Sequence, residues 1–212
     1  MTAGAWLFLG LAAVAAAGDW WAVARHRTRV EYVCKPATLA LLVGLAATLD
    51  TDDDAVRACF LVALVLSLLG DVFLMLPQDL FVAGLASFLA AHLAFIVGLW
   101  LDGQTALALA IGVAVAAVAI AVVGRRILLA VQRGDQPEMA PPVAAYMGVI
   151  SLMLASAIGT GEPLAIVGAG LFYASDALIA WERFVRPQAW HRLAIIVTYH
   201  LAQTGLTLSL LT

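Results

Sequence analysis

Lysine is nearly missing from this chain: Lys35 stands alone among the 11 basic residues, and the other ten are arginines. Charged residues of both signs fill only 12% of the 212 positions, about half the share in a soluble domain. So few polar side chains cannot cover a water-facing surface, which excludes a soluble globular protein. With 11 Lys+Arg against 14 Asp+Glu, no basic patch is large enough to track a phosphate backbone, which excludes a nucleic-acid partner. Cysteine is scarce too. Cys34 and Cys59 fall at opposite ends of different apolar runs and are expected to stay unpaired, as small apolar packing residues. The excess is in apolar residues, at 64% of positions with a mean hydropathy of +1.02. A helical membrane protein is the class that remains.

A spanning helix needs about 20 mainly apolar residues to cross ~30 Å of hydrocarbon. Eight such runs can be read, at roughly 3–24, 34–49, 56–76, 80–101, 104–123, 141–159, 163–182 and 190–211. They take up about three-quarters of the chain, so residues 1–212 form one transmembrane domain, an all-α polytopic bundle. Lys35-Pro36 would place a proline in the first turn of the second run. Continuous apolarity, without period-two alternation, argues against a β-barrel. Loops on alternate sides put ten of the eleven cations on one side, with only Arg57, beside the acidic run Asp50 to Asp54, on the other. Cytoplasmic loops are rich in Lys and Arg, so both termini are expected outside, in the cell (inner) membrane. Residues 1–18 lack a positive n-region and read as a span, not a signal peptide.

The second half echoes the first. Pro36, Asp71 and His92 mark the second, third and fourth runs, and Pro142, Asp176 and His200 mark the sixth, seventh and eighth, at offsets of 106, 105 and 108 residues. Four spans per half would make a 4+4 parallel repeat, which predicts that Asp71 and Asp176 sit at similar depth and face each other.

An intramembrane carboxylate costs several kcal/mol near the midplane and usually faces the bundle interior with a task or a partner. Asp71 and Asp176 both fall roughly 8–10 Å inside the cytoplasmic boundary at ~1.5 Å per residue, and neither has a cation within one turn of its own helix. Two facing carboxylates in a dry site titrate unequally, so one can hold a proton while the other stays ionised. That division suits a reaction through an oxocarbenium ion. The alternative is that each fixes helix packing. His92 lies mid-span, and Tyr199, His200 and Gln203 lie near the middle of the last span, where site and packing roles are both open. Tyr146 shares the aspartates' depth or anchors at the interface. Lys35 enters from the cytoplasmic side, where it meets a phosphate or serves topology, and Arg183 carries the same two readings. Ser175 neighbours Asp176 with no base beside it. No metal-binding constellation and no cofactor motif stands in the sequence.

The words Lys35-Pro36, Ser67-Leu68-Leu69-Gly70-Asp71-Val72-Phe73-Leu74-Met75, Gly84-Leu85-Ala86-Ser87-Phe88 with His92, Pro142-Val143-Ala144-Ala145-Tyr146, Leu171-Phe172-Tyr173-Ala174-Ser175-Asp176-Ala177-Leu178 and Tyr199-His200-Leu201-Ala202-Gln203 run in order along the chain. Together they resemble the YhhN-like lysoplasmalogenase family. The resemblance implies an eight-span integral membrane enzyme. It would hydrolyse the vinyl ether bond of a lysoplasmalogen to a fatty aldehyde and glycerophosphoethanolamine or glycerophosphocholine, without a metal. It also implies Asp71 and Asp176 as the catalytic pair; from their own positions Lys35, His92, Tyr146, Ser175, Tyr199, His200 and Gln203 are the candidates for binding substrate. His200 departs from the family's usual pair of tyrosines. The expected partners are a lysophospholipid substrate and membrane lipid, with no obligate protein partner. A transporter or flippase, and a lipid sensor without catalysis, are the alternatives that intramembrane aspartates also fit.

Overall fold

A computed structural model describes residues 1–51 and 53–211, so Asp52 of the acidic run and Thr212 lie outside the described residues. Nine α-helices are found among the described residues: α1 (Ala3–Ala24), α2 (Thr28–Thr48), α3 (Asp54–Met75), α4 (Phe81–Asp102), α5 (Ala106–Ala119), α6 (Arg125–Arg133), α7 (Ala140–Thr160), α8 (Pro163–Phe184) and α9 (His191–Leu208). A π-helical turn, Ile120–Gly124, joins α5 to α6 in one continuous rod. Counting that rod once, eight helices are long and apolar enough to cross a membrane.

Helix ends follow local chemistry. Thr2 and Asp53 accept backbone N–H bonds as N-caps of α1 and α3, at 3.1 Å from Ala5 and 2.7 Å from Ala55. Gly161, at φ 77°, ends α7 in the left-handed conformation that glycine adopts without strain. Two boundaries differ from those expected. The second helix begins at Thr28, so Pro36 lies inside it and not in its first turn. The fifth span runs on to Arg133, because Arg125 and Arg126 face out while Ile127 and Val131 are buried on the other side of the same helix.

Six helices close a ring in which each packs on the next: α2, α3, α4, α7, α8, α9 and back to α2. α1 packs on α2 from outside, and α5 packs on α7 in the matching position. The two halves therefore repeat the same neighbour pattern, and α3 and α8, the helices of Asp71 and Asp176, stand opposite each other across the ring. Close approach of backbones holds it together. A side chain at Gly168 would meet the Leu206 N–H at 2.8 Å and the Ala202 carbonyl at 3.0 Å on α9. In a bilayer, packing at small residues replaces the hydrophobic drive between helices.

Candidate functional site

The ring interior is apolar and aromatic, and the buried charges stand out against it. Asp71, 1% exposed on α3, places Oδ1 3.0 Å from the Lys35 ammonium on α2. Its Oδ2 accepts the Tyr199 hydroxyl of α9 at 2.7 Å. Both carboxylate oxygens are thus engaged, one by a charge and one by a neutral donor. No cation shares the local turn of α3, as the sequence implied; the partner comes from a neighbouring helix.

Asp176 on α8 has different company. The Tyr146 hydroxyl of α7 donates to its Oδ2, and His92 Nε2 of α4 lies 3.7 Å from the same oxygen. Among the described residues no lysine or arginine pairs with it. Tyr146 is buried and bonded to the carboxylate, so it is not an interfacial anchor. Phe172 stands between a partner of each aspartate, its ring 4.7 Å from His92 and 5.5 Å from Tyr199 between centroids.

Two cavities adjoin here, one reaching Asp176 and the other Lys35, while Asp71 lies behind Lys35 and lines neither. One is a narrow apolar slot of about 50 Å³, lined by Phe88, Ile127, Val143 and Ala180, with Tyr146 and Asp176 as its polar side chains beside Tyr173. Val123 and Gly124 of the π turn form part of its wall, in keeping with the frequent use of π bulges at functional sites. The other is an open vestibule at the Arg-rich end, lined by Glu31, Lys35, Glu182, Arg183 and Arg192. Leu74, Phe81 and Ile179 line both, so slot and vestibule adjoin.

Two candidates lie elsewhere in the packing, and a third stands beside Tyr199. The Ser175 hydroxyl donates to the Ile195 carbonyl at 3.1 Å, tying α8 to α9 and not reaching substrate space. His200 turns away from the aspartates toward α1, where its Nδ1 accepts the Trp20 indole N–H at 3.1 Å. Adjacent positions on a helix point about 100° apart, so Tyr199 facing Asp71 sends His200 to another neighbour. Gln203 is fully buried one turn beyond Tyr199, against the side chain that reaches Asp71. Sequence reasoning missed Asp19, a fully buried carboxylate of α1 whose Oδ2 lies 3.9 Å from His200 Nε2. The signal was present, since Asp19 is a charge inside the first apolar run. Among the described residues no group of three His, Cys, Asp or Glu side chains comes together to hold a metal.

The YhhN family model matches residues 30–210, which takes in every site residue above except Asp19 and Trp20. The chain belongs to the YhhN family. It is also 36% identical over 149 residues to the lysoplasmalogenase TMEM86B of Homo sapiens, covering 70% of this chain and 62% of that protein. To the lysoplasmalogenase TMEM86B of Rattus norvegicus it is 34% identical over 149 residues, covering 70% and 60%. The matched part thus spans about three-fifths of the length of these curated relatives. No solved structure matches the chain. Family and helices together make this YhhN protein a multi-pass membrane protein.

Proposed function

We propose that this protein is a membrane hydrolase that cleaves the vinyl ether bond of lysoplasmalogen-like lysophospholipids. The observation that carries the reading is a pair of aspartates in opposite electrostatic settings, Asp71 buried behind Lys35 of a charged vestibule and Asp176 on the wall of the adjoining apolar slot. A lysolipid has the complementary shape: one chain for the slot, a phosphate headgroup for the vestibule, and a labile bond between them. The relatives' name, lysoplasmalogenase, supports the same chemistry. With its basic end toward the cytoplasm of the inner membrane, the protein would take the lipid sideways from the inner leaflet.

The two settings support a division of roles. Asp176, facing the apolar slot without a cation, holds a proton and gives it to the β-carbon of the vinyl ether. The neighbouring carbon becomes an oxocarbenium ion, which the Asp71 anion stabilises. Water adds its oxygen to that carbon as its proton passes to Asp71, giving a hemiacetal. The carbon–oxygen bond to glycerol then breaks, the glycerol oxygen takes the proton from Asp71, and the hemiacetal hydroxyl returns one to Asp176. Aldehyde and glycerophospholipid headgroup leave, and both aspartates are reset.

Purified protein incubated with lysoplasmenylethanolamine, with fatty aldehyde followed by mass spectrometry, tests this. Wild type should release aldehyde, and Asp71→Asn and Asp176→Asn should each lose about 10²- to 10⁴-fold in turnover, the usual share of a general acid or base. Folded protein that binds the lipid but releases no aldehyde would overturn the reading and favour transport.

A further inference from the structure

Lys35 belongs to two places at once. Its ammonium neutralises Asp71 Oδ1 at 3.0 Å, and the same side chain, 14% exposed, lines the vestibule. The vestibule's arginines are engaged with carboxylates across the mouth. Arg183 donates to both oxygens of Asp79 at 3.2 and 3.3 Å, and Arg192 to both oxygens of Glu31 at 3.0 and 3.1 Å. Lys35 is therefore the vestibule cation that also touches the buried pair. Its flexible four-carbon stem and point charge let it change partners, where an arginine fork would be held by geometry.

Resting on the hydrolase reading above, we propose that the substrate's own phosphate switches the site on by drawing Lys35 from Asp71 into the vestibule. In the empty site the ammonium masks the anion, which suits stability, because an unpaired buried carboxylate is strongly destabilising. It does not suit catalysis. A carboxylate with one oxygen on an ammonium and the other on Tyr199 is a poor acceptor for the proton of water and a weak field for an oxocarbenium ion. When a phosphate occupies the vestibule, the ammonium keeps an anionic partner as it moves, and Asp71 keeps the Tyr199 hydroxyl. Oδ1 is freed at the moment a labile ether lies in the slot. No covalent bond changes in this step; one ion pair is exchanged for another.

This arrangement has a kinetic signature that a plain headgroup-binding lysine lacks. A residue that merely holds the headgroup changes KM, whereas one that unmasks the base changes kcat. The experiment compares lysoplasmenylethanolamine with the 1-alkenylglycerol of the same chain, which has no phosphate, on wild type and Lys35→Gln. On wild type the headgroup-free substrate should turn over about a hundredfold more slowly in kcat, the lower end of a general base's contribution. Saturating inorganic phosphate should restore several-fold of that loss. In Lys35→Gln the kcat ratio of the two substrates should fall to about one, with no response to phosphate. Equal kcat for both substrates on wild type, with only KM raised, overturns the switch while leaving the hydrolase reading standing. No aldehyde from either substrate overturns the hydrolase reading and the switch together. The wild-type comparison needs no variant to fold, and a phosphate response surviving in Lys35→Gln would assign the effect to another cation.

Discussion

Removing the Lys35 ammonium while keeping Asp71 tests the ion pair without reference to catalysis. Lys35→Met leaves a carboxylate that is 1% exposed with, among the described residues, only the Tyr199 hydroxyl as a partner. Breaking a buried pair from one side costs about 3–5 kcal/mol. Lys35 is 14% exposed toward the vestibule, so water reaches that side and the lower end, about 3 kcal/mol, applies. Asp71→Asn is the milder change. The amide can still accept the tyrosine hydroxyl, and the freed ammonium can snorkel to the vestibule, at about 1 kcal/mol. Once Asp71 is Asn, losing the ammonium costs little more, so the double variant should resemble Asp71→Asn alone. The cycle then returns a coupling of about 2–3 kcal/mol, within the range for residues in direct contact. Unfolding of the four proteins in one detergent, followed by circular dichroism, measures it. Losses that add within about 0.5 kcal/mol would mean that the ammonium does not rest on Asp71.

Tyr199→Phe removes a hydroxyl bonded to a charged carboxylate, so stability in detergent should fall by about 1.5–3 kcal/mol. An unchanged unfolding midpoint would mean that the hydroxyl does not rest on Asp71. Ala180→Trp fills part of the slot wall, so KM should rise for a long-chain substrate and much less for a short-chain one; an equal rise for both would move the chain elsewhere. His200→Phe strips the Trp20 indole of its acceptor and should lower stability by about 1–3 kcal/mol with turnover unchanged. Lost turnover in folded His200→Phe would return that residue to the site. Gly168→Leu drives a side chain into the α9 backbone and should abolish recovery of folded protein; normal yield would contradict the close crossing.

The spans were legible because bilayer thickness leaves a plain mark on composition: about 20 apolar residues between loop signals. Azimuth was not. A helix that is apolar all round carries no sign of which side faces its neighbours, so Tyr199 and Asp71, 128 residues apart, and Trp20 and His200, 180 apart, could not be paired in advance. Adjacent residues suffered most. Tyr199 and His200 read as one group, yet they face different helices. The fifth span was cut short for a related reason: Arg125 and Arg126 look like a loop until Ile127 and Val131 are seen on the opposite face. Asp19 shows the limit of repeat-based reasoning, because its position has no counterpart among the three paired markers that drew attention elsewhere.

Repetition and chemistry pull in opposite directions in this bundle. Two halves with the same neighbour pattern deliver two carboxylates to opposite sides of one ring, and strict symmetry would give them equal surroundings. Equal carboxylates compete for one proton, and neither has a fixed role. What distinguishes them here comes from α2 and α7, helices in matching positions. α2 brings a lysine to Asp71, and α7 brings a tyrosine to Asp176. The other contacts preserve the repeat, since α9 reaches across to Asp71 with Tyr199 just as α4 reaches across to Asp176 with His92. One charged residue, the sole lysine of the chain, thus breaks the symmetry between the two sites. On the proposed reading, the same residue separates acid from base and ties the base to the arrival of a phosphate.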